Sequence, residues 1–165
     1  MSLFVLKPIH WNSSQYLLPS GHRATSGFPY KHGYGHEEWN NSGHLLFSKG
    51  KDKFRAFHTE AVKGAARTEN RGNTFVFMYA SHHGKQELVG IAGSATHLLN
   101  ENDDEEKRIE LSKLINLKAI REEAWAEPLV REKYSDDKKK LSFEHSSLMK
   151  LGFQTGIVRI VIFYG

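Results

Sequence analysis

The order of hydrophobic patterns along the chain constrains the fold more than any single motif does. Strand-like segments fill the first hundred residues, helical spacing then replaces them, and a strand returns at the end. Leu3-Phe4-Val5-Leu6 is a short apolar run closed by Lys7-Pro8 and reads as a strand. Phe54-Arg55-Ala56-Phe57-His58-Thr59 alternates as a half-buried strand does. Thr74-Phe75-Val76-Phe77-Met78-Tyr79-Ala80 is apolar on both faces. A turn at His82-His83-Gly84-Lys85 leads from it into a second run, Glu87 to Ala95, which predicts an antiparallel hairpin. Gly90 and Gly93 within that second run predict a bulge or a close backbone approach.

Beyond residue 100 the period changes. Asn102-Asp103-Asp104 supplies a helix cap and an acidic first turn. Ile109, Leu111, Leu114, Ile115, Leu117 and Ile120 then recur at helical spacing. Pro128 marks a break, and a second helix is predicted near 141–151, stopped by Gly152. Ile157 to Tyr164 reads as a strong final strand. A chain of 165 residues can bury one sizeable core. Strands, then helices, then a strand predict an α+β fold: a curved antiparallel sheet or partial β-barrel with flanking helices. The whole of 1–165 is read as one domain, with a helical insertion at about 101–152 and a closing strand at about 156–164.

The most unusual segment lies between the first two strands. Residues 10–44 are rich in Gly, His, Ser, Asn and aromatics, and so long an irregular stretch inside a domain is usually functional. Its centre runs Gly27-Phe28-Pro29-Tyr30-Lys31-His32-Gly33-Tyr34-Gly35-His36-Glu37-Glu38-Trp39-Asn40, preceded by Trp11-Asn12 and Tyr16. Large rings on a loop offer flat faces to a planar ligand, and Trp11, Tyr30, Tyr34 and Trp39 are the candidates for a cage around a nucleobase. Asn12, Glu38 and Asn40 carry groups able to hydrogen-bond the edge of such a base. The plainer reading is that the rings pin a long loop to the core. His32 and His36 have the spacing of a metal pair on a helix, but Gly33 and Gly35 argue against helix there, and neither a metal nor any other cofactor is expected.

Charge is unevenly distributed. Residues 1–100 hold eleven Lys and Arg against six Asp and Glu, a net +5, whereas the remainder nets −1. Nine of the ten histidines also fall in the first hundred residues, so that part grows more basic as pH falls. Such a distribution suggests a polyanionic partner. Lys49, Lys51, Lys53, Arg55, Lys63, Arg67 and Arg71 alternate with Phe47, Phe54 and Phe57 as the lining of a phosphate-tracking groove would, and His82 in its turn is placed to face a phosphate. A solvated basic face is the alternative. The absence of cysteine excludes thiolate zinc sites, iron–sulfur clusters and a cysteine nucleophile. No apolar run is long enough to span a membrane and the first residues do not form a signal peptide, so a cytoplasmic location is expected.

The strand pair Phe75-Val76-Phe77-Met78-Tyr79-Ala80-Ser81 and Leu88-Val89-Gly90-Ile91-Ala92 resembles the central strands of the PUA-like superfamily, especially EVE and YTH domains. Trp11-Asn12 with the aromatic loop is similar to their pocket-forming insert, and Gly33-Tyr34-Gly35-His36-Glu37-Glu38-Trp39-Asn40 resembles a stretch found ahead of HNH nuclease domains in bacterial modification-dependent restriction proteins. The likeness covers about residues 1–100 and the last strand; the helices of 101–152 have no counterpart in the simplest EVE domains. It implies a DNA-binding module that recognises a modified base by flipping it into an aromatic cage. The partner would be duplex DNA carrying that base. The chain itself would not be an enzyme: no His-Asn-His signature is present, and cleavage would belong to a fused or associated nuclease. Two other expectations stand beside this one. One is an RNA-binding module that reads a modified base in single strands. The other is a small nucleotide-processing enzyme using Glu37 or Glu38 as general acid or base near His36.

Overall fold

The computed structural model describes residues 2–59, 72–98, 105–141 and 155–159. The fold is α+β, built on an open six-stranded sheet with helices to one side. Strand β1 (Leu3–Pro8) alternates strictly, turning Leu3, Val5 and Lys7 inward and leaving Phe4 and Leu6 exposed. Strands β2 (Leu46–Lys49) and β3 (Asp52–His58) form a hairpin, of which the sequence patterns announce only the second arm. Strand β4 (Thr74–His82) buries Thr74, Val76, Met78 and Ala80 on one face, as its period of two requires. It returns as β5 (Lys85–Leu98) through the predicted hairpin. The bulges anticipated from the glycines are present: Thr74 and Val76 face Ala95 and Ala92, and Met78 and Tyr79 face Gly90 and Leu88, so β5 carries one extra residue at each place. Strand β6 (Thr155–Arg159) lies between β5 and β3.

The strand order is β1-β4-β5-β6-β3-β2. All neighbours are antiparallel except β1 and β4, which pair in parallel from Leu3 opposite Thr74 to Pro8 opposite Tyr79. The expectation of a purely antiparallel sheet is therefore corrected to a mixed one. The reason is connectivity: a tight turn forces its two strands antiparallel, whereas the long path from β1 to β4 leaves their relative direction free. Phe57 of β3 shares a buried cluster with Val76, Met78, Ala80, Ala92 and Ala95 of β4 and β5, although β6 intervenes in the sheet.

Helices α2 (Glu105–Leu114), α3 (Leu117–Ala126) and α4 (Pro128–Lys133) follow. The spacing from Ile109 to Ile120 reads as one helix, but the chain breaks at Ile115-Asn116, where the Asn116 side chain accepts a hydrogen bond from the Ala119 N–H and starts α3 afresh. Pro128 opens α4 at the position where its missing N–H costs nothing. Leu111, Ile115, Ile120, Ala124, Val130, Tyr134 and Leu141 pack with Tyr34, Trp39, Leu45 and Ala56 into a second core. Residues 142–151 of the helix expected near 141–151 and the closing residues 160–164 lie outside the described residues. No helix among the described residues is long and apolar enough to cross a membrane.

Residues 10–44 form neither a plain loop nor a compact subdomain. They carry one short helix, α1 (Gly27–His32), and two 3-10 turns, His36–Trp39 and Gly43–Leu45. Tyr16 joins the core beneath β4 and β5, whereas Tyr34 and Trp39 join the core beneath the helices. The insert is thus wedged between the two cores and bonded to both.

Candidate functional site

The polar residues at the heart of the insert build its scaffold. Glu38 is 2% exposed, and its carboxylate accepts hydrogen bonds from Asn12 Nδ2 (2.9 Å), the Ser20 N–H (3.0 Å), Ser20 Oγ (3.2 Å) and the Gly35 N–H (2.9 Å). Asn12 also donates to the Leu18 carbonyl, while its Oδ1 accepts from the Ser14 and Tyr16 N–H groups. Asn40 donates from Nδ2 to the His58 carbonyl (2.9 Å) and accepts at Oδ1 from the His58 N–H (2.7 Å), which ties the insert to β3 as a strand partner would. Arg55 Nη1 donates to the carbonyls of Asn40 and Ser42, and burial lowers its pKa from the ordinary value. Buried polar groups need such partners, and here the partners are protein. Asn12, Glu38 and Asn40 spend their hydrogen-bonding capacity on the chain rather than offering it to a base edge, and Arg55 places one guanidinium nitrogen on the same turn.

Two of the four proposed cage rings are core residues. Tyr34 and Trp39 are each 1% exposed and meet edge-to-face at 5.8 Å. Trp39 Nε1 donates to Glu123 Oε2 at 2.7 Å, and the other oxygen of Glu123 is bonded to His44 Nε2 at 2.9 Å. Tyr30 is exposed on α1 with Lys133 above its ring. Trp11 packs on the other core. The four rings therefore do not converge on one cage. The physical reason is that glycine-rich loops need anchors, and the largest apolar surfaces in the insert supply them.

Trp11 is different. Half-buried, it stacks on His82 with centroids 3.6 Å apart and planes 12° from parallel. His82 is the last residue of β4 on the inner face that Met78 and Ala80 also occupy, so the stack closes that end of the sheet at the β4–β5 turn. His22 meets both rings edge-on, at 5.1 Å from Trp11 and 5.4 Å from His82. His10 lies 5.5 Å from His22, and His83 lies 3.9 Å from His82. Sequence reasoning named Trp11, His82 and, in the same turn, His83, but not His10 or His22; the concentration of histidine in the first hundred residues was the available signal. Partial burial, with His83 and His22 beside it, holds His82 below the ordinary histidine value, and Glu87 opposes that shift.

Deeper in, burial together with Lys7 pushes His58 down to about 3, so the imidazole tied to Asn40 through its backbone stays neutral. Burial raises the Tyr16 phenol, and the charges of Glu38, Glu37 and Glu87 add to the rise. The Tyr16 hydroxyl has no hydrogen-bond partner among the described residues, and Gln15 and Tyr16 are both left-handed (φ 55° and 62°).

Lys49, Lys51 and Lys53 are exposed along the β2–β3 hairpin, and Lys49 lies 3.7 Å from Glu110 of α2. Arg67 and Arg71 fall outside the described residues. Among the described residues no group of three His, Asp or Glu side chains is placed to hold a metal ion: His32 is bonded to the Tyr134 hydroxyl at 2.9 Å, and His36 sits beyond the end of α1. A shallow pocket of about 180 Å³ lined by Lys118, Arg121, Glu122, Lys138 and Leu141 lies on the helical side and contains none of the residues singled out from sequence. No protein-family model, curated protein or solved structure matches the chain.

Proposed function

We propose that the chain is a PUA-like DNA-binding module that takes a modified base onto Trp11 in the position His82 holds in the free protein. The observation that carries this reading is the Trp11–His82 stack itself. A flat heteroaromatic ring already lies on the indole at base-stacking distance, and it belongs to a turn whose residues His83 and Gly84 are both left-handed (φ 47° and 74°). A flipped nucleotide can displace such a ring without disturbing the core. In this reading the exposed basic hairpin at Lys49, Lys51 and Lys53 supplies positioning contacts to phosphate. Cleavage, in this reading, belongs to a fused or associated nuclease.

Stacking of one base on an aromatic side chain is worth about 1–3 kcal/mol, similar to the cost of extruding a base from the duplex. A buried methyl group adds about 0.8 kcal/mol, roughly a fourfold preference. Stronger discrimination requires the shape of the space opened beside Trp11, since Asn12, Glu38 and Asn40 are already committed. The test is a binding comparison over duplexes carrying modified cytosines or adenines, each against the unmodified duplex and matched single-stranded RNA. Trp11→Ala is expected to lose about tenfold in affinity for the preferred modified duplex and to erase the preference, in a chain that is less stable for the lost packing but still folded at the assay temperature. Unaltered affinity in that variant would remove the base-stacking role. Tighter binding to the RNA would replace the DNA reading with the single-strand one.

A further inference from the structure

We infer that His10, His22, His82 and His83 around Trp11 form a proton-gated site for a phosphate group. The four imidazoles form a chain of ring contacts, His10 to His22 at 5.5 Å, His22 to His82 at 5.4 Å and His82 to His83 at 3.9 Å. They come from two separate parts of the chain, the insert and the β4–β5 turn, and two of them, His22 and His82, meet the indole directly. Nothing in the core requires them: His22 and His83 are exposed, and the bond from the His10 ring to the His22 carbonyl, at 3.3 Å, is long. The charged groups that face the cluster are few. Glu87 acts on His82 from β5, and Lys85 is the register partner of His82 across the turn.

Four neutral imidazoles can coexist at these distances, but several imidazolium rings cannot without a counter-charge. A bound phosphate supplies that counter-charge. Anion binding and proton uptake are therefore linked, and affinity rises as pH falls through and below the ordinary histidine range. The duplex as the source of the phosphate rests on the function proposed above; the phosphate chemistry does not. In that setting the nucleotide that displaces His82 from Trp11 brings its own phosphate to the imidazole it has moved.

Titration calorimetry at about pH 7.5 and about pH 5.5, at constant ionic strength, with inorganic phosphate in one arm and a modified duplex in the other, tests the gate. The wild-type chain is expected to bind both at least about tenfold more tightly at the lower pH and to take up protons on binding, read from two buffers of different ionisation enthalpy. The triple variant His22→Gln/His82→Gln/His83→Gln is expected to lose most of that gain while keeping its unfolding midpoint. Proton uptake of zero by the wild type overturns the site whether or not the variant folds. So does a variant whose pH dependence equals that of the wild type. Phosphate bound with proton uptake but no duplex binding keeps the gate and removes the DNA reading. Duplex binding indifferent to pH keeps the DNA reading and removes the gate.

Discussion

Asn40 shows how one side chain can look like a reader of bases and serve as a piece of backbone. Its amide occupies the His58 N–H and carbonyl together, the same donor–acceptor pair that a strand neighbour would satisfy. An adenine edge offers a similar pair, so the residue type alone does not distinguish the two uses. The same ambiguity covers Asn12 and Glu38, whose identities were legible in the sequence and whose partners were not, because Leu18, Ser20 and Gly35 are brought to them by the course of the insert. Replacement of Asn40 by Ala removes both of its hydrogen bonds to the His58 backbone, at about 0.5–1.5 kcal/mol each. Asn40→Ala is expected to lower stability by about 1–3 kcal/mol in denaturant unfolding. In the folded fraction the ratio of affinities for modified and unmodified DNA should stay where it is in the wild type; a changed ratio would return Asn40 to the base-reading set.

The elements whose partners lie close in sequence were the ones that could be read in advance. The β4–β5 hairpin needs only two apolar runs and a turn, and its bulges are written in Gly90 and Gly93. Strand β1 was visible as a strand, but its parallel pairing depends on residues seventy positions away and leaves no local trace. The break between α2 and α3 illustrates the opposite case: the apolar period runs unbroken across it, and only the capping geometry of Asn116 stops the helix. Helix α1 ends for a clearer reason. Gly33 is left-handed (φ 81°), its N–H bonds to the Pro29 carbonyl at 2.9 Å, and a Cβ there would stand 2.9 Å from the Leu129 carbonyl oxygen of α4. Backbone cannot retreat as a flexible side chain can, so Gly33→Ala combines a strained conformation with a steric conflict against α4. A loss of about 2–4 kcal/mol is expected in thermal or denaturant unfolding. Gly84 offers the contrast within the same protein, since its left-handed φ of 74° comes with open space around the position of a Cβ. Gly84→Ala should cost only about 1 kcal/mol, the backbone component alone.

At the scale of the whole molecule, the insert divides its residues between two cores, with Tyr34 and Trp39 buried in one and Tyr16 in the other, while Trp11 is only half-buried at the end of the sheet. The net +5 of residues 1–100 is distributed in the same way. Arg55 is half-buried and donates from Nη1 to the carbonyls of Asn40 and Ser42, whereas Lys51 and Lys53 stand exposed on the β2–β3 hairpin. The ion pair of Lys49 with Glu110 joins two side chains that are 72% and 61% exposed, and such a pair is too weak to hold the lysine away from a phosphate. Phosphate contacts release counterions and base stacking does not, so the two contributions separate in the salt dependence of binding. Lys51→Ala/Lys53→Ala is expected to weaken modified and unmodified duplexes alike and to reduce the slope of log affinity against log salt by about 2, near 0.9 for each contact removed. Trp11→Ala should lower affinity for the modified duplex and leave that slope unchanged. A slope that falls with Trp11 and not with the lysines would mean that the indole end of the insert, with its ring of imidazoles, carries the phosphate contacts by itself, and that the hairpin is a solvated face.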